Sequence, residues 1–98
     1  MQRLLLSCKS IDDARFLKSY IETELPYEVY LAFDPREIEA SLKSKSIHLL
    51  IMQTGNLAQQ DLSYALQIRQ NGYSHPIMMI TDSVGGTNIE EVHERYKI

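Results

Sequence analysis

The sequence predicts an α/β domain, a doubly wound parallel sheet with strands in the order 2-1-3-4. Two observations carry this. Short segments apolar on both faces recur, at Leu4 to Cys8, Ile47 to Met52 and Pro76 to Thr81, as buried parallel strands require. Between them lie segments whose apolar residues repeat at helical spacing, so the strands are joined by right-handed crossovers that cover both faces of the sheet. At 98 residues, 44% of them hydrophobic, the chain can supply one core, and residues 1–98 read as a single domain.

The first strand, β1, is Leu4-Leu5-Leu6-Ser7-Cys8. Ser10, with Asp13 three residues on, has the form of a helix N-cap with an acidic first turn. Ala14, Leu17, Ile21 and Leu25 then repeat helically until Pro26, which predicts α1. Tyr27 to Phe33 alternates, with Val29, Leu31 and Phe33 on one face, and is β2. Asp34-Pro35 supplies a cap and a proline at the first helical position, where its missing N–H costs nothing; Ile38 and Leu42 form the stripe of a short α2. Ile47 to Met52 is β3, entering a turn-like stretch, Gln53-Thr54-Gly55-Asn56. Helix α3 is expected from about Ala58 to Asn71, with Gly72 at a left-handed C-cap. Pro76 to Thr81 is β4, followed by a glycine-rich loop and a final helix, α4, carrying Ile89, Val92 and Tyr96.

The formal charge of −3 comes from interspersed acids and bases, with no basic run to neutralise phosphates, so no nucleic-acid partner is expected. Cys8 is the only cysteine, which excludes an internal disulfide and suits a reducing compartment. The start of the chain turns polar at Ser7, so neither a leader nor a membrane span is expected, and the expected location is the cytoplasm. His48, His75 and His93 fall on different elements without metal-ligand spacing. Gly85-Gly86-Thr87 lacks the lysine of a phosphate-binding loop. No metal or other cofactor and no catalytic group is assigned.

In an open parallel sheet, ligands sit beyond the carboxyl ends of the strands where their order reverses, here between β1 and β3. The residues expected there are Cys8, Lys9, Gln53, Thr54, Thr81 and Asp82. From Ile47 to Asp82 the pattern resembles a response-regulator receiver: a hydrophobic β3 with the phospho-acceptor position at its tip, then a loop and helix reaching Ile68-Arg69. Pro76 to Thr81 follows, and Arg3-Leu4-Leu5-Leu6 matches the family's β1. The spacing from Gln53 to Arg69 fits without a gap. The resemblance implies a flavodoxin-like receiver scaffold, but its chemistry is missing. Gln53 stands at the acceptor position, and an amide has no carboxylate nucleophile. Cys8 and Lys9 stand where the family holds Mg²⁺ with two acids, and a thiol and an ammonium are poor partners for a hard cation. Thr81 matches the switch hydroxyl. Cys8, Lys9, Gln53 and Thr81 thus form a degenerate acceptor pocket.

The family's fifth strand, its lysine and its last helix have no counterpart before Ile98, so the fold is expected to stop after α4 and leave β4 as an apolar edge. The expectation is a phosphorylation-independent pseudo-receiver that binds a protein partner: a second copy of itself or a following domain of a longer polypeptide. Its interaction surface is expected at Met79, Asp82, Ile89, Val92 and Tyr96. The alternative is a phosphoryl carrier similar to the cysteine-phosphorylated enzyme IIB of sugar phosphotransferase systems, with Cys8 as nucleophile. Against it, the loop from Cys8 to Asp13 brings a β-branched residue and two acids to where a phosphate would sit.

Overall fold

The computed structural model describes residues 2–56 and 59–83. The predicted α4 and the loop before it, with Ile89, Val92 and Tyr96, lie outside the described residues, as does the side chain of Asp82. Seven elements follow one another: β1 (Gln2–Ser7), α1 (Ile11–Glu24), β2 (Tyr27–Ala32), α2 (Pro35–Ser44), β3 (Leu49–Asn56), α3 (Gln59–Gln70) and β4 (Ile77–Ser83). All strand pairs are parallel, in the order β2-β1-β3-β4.

The helix ends follow from local chemistry. The Ser10 hydroxyl accepts from the Asp13 N–H, and the Asp34 carboxylate accepts from the Glu37 N–H at 2.9 Å. At the end of α3, Gly72 adopts φ +104°. Its N–H donates to the Arg69 carbonyl and that of Tyr73 to the Ile68 carbonyl, the paired bonds of a Schellman cap. A residue with a Cβ would be strained at that φ even though the surrounding space is open.

The sheet divides the core into two layers. Leu4, Leu6, Cys8, Ala14, Val29 and Ile51 pack on the α1 side, whereas Leu5, Ala32, Ile38, Leu50, Met52, Ile68 and Ile77 pack on the side of α2 and α3. Leu4, Leu5 and Leu6 are all at most 1% exposed, which is why β1 reads as apolar on both faces. Two expectations need correction. The stretch Gln53-Thr54-Gly55-Asn56 is not a turn but the end of β3, paired with a longer β4 as far as Asn56 with Ser83. Phe33 lies beyond β2 and is 39% exposed, not on its buried face. On β4, Met79 packs partly against the α2 and α3 layer, while Met78 and Ile80 face the other way and are exposed.

Candidate functional site

β1 stops at Ser7, where its ladder with β3 has reached Met52 and its ladder with β2 has reached Ala32. The next chain turns begin here, at the point where the strand order reverses. A cleft of about 490 Å³ opens at this end, lined among others by Cys8, Lys9, Asp34, Gln53, Thr54 and Tyr64. The structure therefore brings together three of the four expected pocket residues. The fourth, Thr81, stands on β4 opposite Thr54, so β3 separates it from Cys8 and Lys9.

Each side chain has a physical reason for its state. The Cys8 N–H donates to the Ala32 carbonyl, which draws the residue under the sheet edge of the cleft, and the side chain is 1% exposed. Burial, with the Asp13 carboxylate adding to it, pushes the Cys8 thiol above its ordinary pKa. The group is a thiol, not a thiolate. Lys9 is exposed and does not offset this. Gln53 is half-buried and neutral. Thr54 is 5% exposed, and its Oγ1 makes no hydrogen bond among the described residues. Across the cleft, the Tyr64 hydroxyl donates to the Pro35 carbonyl at 2.9 Å and ties α3 to the first turn of α2; burial pushes its phenol up to about 12.

Tyr64 belongs to the cleft but carries no signal in the sequence, since a tyrosine on a helix face is ordinary, whereas Thr54 is among the residues expected there. Asp34 is different: its capping role, read from Asp34-Pro35, is what holds it at the rim. At the opposite end of the sheet, His48 and His75 do meet, with ring centroids 5.8 Å apart. Their work there is structural. His48 Nδ1 accepts from the Arg3 N–H at 2.9 Å, and Arg69 donates to the carbonyls of Tyr73 and His75. No group of three metal-ligating side chains occurs among the described residues.

Comparison by sequence found no matching family model and no matching curated protein. Comparison by structure is decisive for the fold. The Francisella response regulator 1452 receiver domain superposes with a TM-score of 0.80 at 14% identity, over 98% of this chain and 78% of that one. The fold is that of a response-regulator receiver. The response regulator TrrA of Thermotoga maritima, solved with Mg²⁺ and BeF, gives a TM-score of 0.70 at 22% identity, over 99% and 97%. A chain from the complex of histidine kinase ThkA with TrrA gives 0.72 at 21%, over 93% and 78%. Within the receiver fold, the cleft between β1 and β3 is the place where the resemblance puts the phosphorylation site. Here it holds a buried thiol, an exposed lysine and a carboxamide.

Proposed function

We propose that this chain is a phosphorylation-independent receiver-like module of bacterial-type signal transduction, acting in the cytoplasm by docking to protein. The observation that carries this is the cleft itself. Gln53 occupies the acceptor position, and an acyl phosphate needs a carboxylate oxygen to attack phosphorus. Cys8 and Lys9 supply neither of the hard oxygen donors a Mg²⁺ ion requires. What survives is a scaffold. Its first helix carries apolar side chains that the core does not use: Ile11 is 56% and Phe16 71% exposed. One chain of similar fold comes from a histidine kinase complex, which supports docking as the mode of action. No helix among the described residues is long and apolar enough to cross a membrane.

The test is incubation with acetyl phosphate and Mg²⁺, and separately with beryllofluoride and Mg²⁺, followed by intact mass and amide NMR. The expected result is no added phosphate and no shift in the Ser7–Lys9 or Gln53–Thr54 signals. Gln53→Asp alone stays inert, whereas the triple change Cys8→Asp, Lys9→Asp, Gln53→Asp is needed before Mg²⁺ binds. A phosphorylated wild-type chain overturns the reading. The cysteine-carrier alternative fares poorly because the nucleophile must be a thiolate, and Cys8 is buried with its pKa raised. Cys8 is expected to react with iodoacetamide only after denaturation.

A further inference from the structure

We infer that Asn71-Gly72 is a site of spontaneous self-modification, held closed by the cap that ends α3 and released when that cap frays. Asn56 is followed by Leu57 and Asn88 by Ile89, so Asn71 is the one asparagine of the chain with a glycine after it. The reaction needs no enzyme. The Gly72 backbone nitrogen gives up its proton to solvent hydroxide and attacks Cγ of the Asn71 side chain; a C–N bond forms, the Cγ–Nδ2 bond breaks, and the side-chain amide leaves as ammonia. Water then opens the resulting succinimide at either carbonyl, which leaves an aspartate or an isoaspartate in place of the asparagine. Glycine favours the attack because no Cβ shields its nitrogen. Among the described residues, its chain neighbours aside, no atom lies within 4 Å of the place a Cβ would take. Asn71 is exposed, so water can enter and ammonia can leave.

The cap holds the reaction back. The Asn71 N–H donates to the Gln67 carbonyl at 3.0 Å, the Gly72 N–H to the Arg69 carbonyl at 3.0 Å and the Tyr73 N–H to the Ile68 carbonyl at 3.3 Å. Asn71 therefore keeps helical backbone up to the left-handed Gly72. The proton that must leave is hydrogen-bonded. Ring closure also needs the Gly72 nitrogen nearly eclipsed with Cβ of Asn71 about the Cα–C bond, and a helical ψ turns the two apart. Beyond the cap, Arg69 donates to the carbonyls of Tyr73 and His75, which fastens the loop leading into β4. The event that exposes the site is local opening of the last turn of α3, not global unfolding. Conversion runs one way. A new carboxylate there meets the negative end of the helix dipole. An isoaspartate also adds a methylene to the main chain, so Gly72 and Tyr73 no longer come into register with Arg69 and Ile68. The product cannot rebuild the cap, and the entry to β4 loosens. The site is a timer whose rate is set by one helical turn, and nothing in it depends on the docking reading.

Incubation of the 98-residue chain in mildly alkaline buffer, followed by peptide mapping by mass spectrometry, tests the site. The reference is a synthetic peptide of residues 67–75, too short to hold the cap. The folded chain is expected to gain the mass difference between water and ammonia at Asn71 at least about tenfold more slowly than the peptide, because only molecules with an open cap react. Its rate is expected to equal the peptide rate multiplied by the open fraction that hydrogen exchange gives for the Gly72 and Tyr73 amides. Arg69→Ala unfastens the loop after the cap and is expected to raise the rate several-fold in a chain that circular dichroism shows to be folded; the exchange comparison on wild type stands whether or not that variant folds. In the purified converted chain, the Tyr73 amide is expected to lose protection while the Leu4–Leu6 amides keep theirs. Equal rates in chain and peptide, a rate that does not follow the exchange of Gly72 and Tyr73, or a converted chain with an intact cap overturns the inference.

Discussion

Among the described residues, the two outer strands of the sheet are treated in opposite ways. On β2, Val29 turns its backbone groups away from β1, and both are taken up by α1: the Glu22 carboxylate accepts from the Val29 N–H at 3.1 Å, and Lys18 donates to the Val29 carbonyl at 2.7 Å. The two side chains are also paired with each other at 3.5 Å. Nothing can add a strand at that point without breaking a charged clamp. On β4, Ile77 lies level with Tyr30, one residue beyond Val29, and Met78 and Ile80 follow it as exposed apolar residues. The difference follows from topology. Helix α1 is the crossover into β2 and lies alongside it, so its flank can reach the edge, whereas α3 enters β4 from the opposite face of the sheet. Among the described residues, one outer strand is clamped by the helix that delivers it, and the other carries an exposed apolar pair, Met78 and Ile80.

The sharpest break of this comparison lies within β4 itself. Ile77 is 4% exposed and packs with Leu50 and Ile68, so Ile77→Ala is expected to cost about 2–5 kcal/mol through lost transfer energy and the cavity left behind. Met78→Ala, one residue on and 50% exposed, is expected to cost no more than about 0.5 kcal/mol. Urea unfolding at concentrations where the chain is monomeric checks both. Equal costs would mean that β4 has no free face, and the contrast between the edges would fail.

The clamp on β2 is the next effect in size. Glu22→Ala leaves the Val29 N–H to water and removes the partner of Lys18, and Lys18→Ala does the same for the carbonyl. Each is expected to cost about 1 kcal/mol, because both side chains are partly exposed and water can replace them. The double change is expected to cost less than the sum, since each single change already weakens the shared pair. Its more telling consequence is hydrogen exchange: the Val29 amide should lose protection in Glu22→Ala while the Leu4–Leu6 amides keep theirs.

Much of this fold was legible in the sequence, and the parts that were not have identifiable causes. The caps at Ser10 and Asp34, the turn at Gly72 and the strand order all rest on local rules that the structure obeys. The extension of β3 was hidden because Thr54-Gly55-Asn56 has turn composition, and pairing with β4 overrides that preference. The parity of β4 was hidden too: Ile77-Met78-Met79-Ile80 is apolar on both faces, so only the placement of the helices shows that Met78 and Ile80 face out. At the site, Gln53 and the burial of Cys8 at the end of an apolar strand could be read directly. The separation of Thr81 from Cys8 follows from the same strand order, which sets β3 between β4 and β1. The clamp of Lys18 and Glu22 looks in the sequence like any surface pair four residues apart.

The smallest effect tests whether the polar character of the β2 edge extends beyond the clamp. On β2 the Tyr30 hydroxyl donates to the Glu28 carboxylate, which also lies 4.0 Å from Arg3, and Lys45 sits over the Tyr30 ring. The hydrogen bond to Glu28 is the main reason the phenol is held above its ordinary value of 10.0, with desolvation second. A folded-state pKa raised in this way gives stability that is complete below pH 10 and is lost as the pH rises through the folded value, because the unfolded chain releases its proton first. Tyr30→Phe should therefore be slightly less stable than wild type at pH 8, and the two urea midpoints should converge as the pH climbs past 10. A gap that stays constant across that range would mean that Glu28 does not hold the Tyr30 proton, and that the guard on β2 is confined to the backbone of Val29.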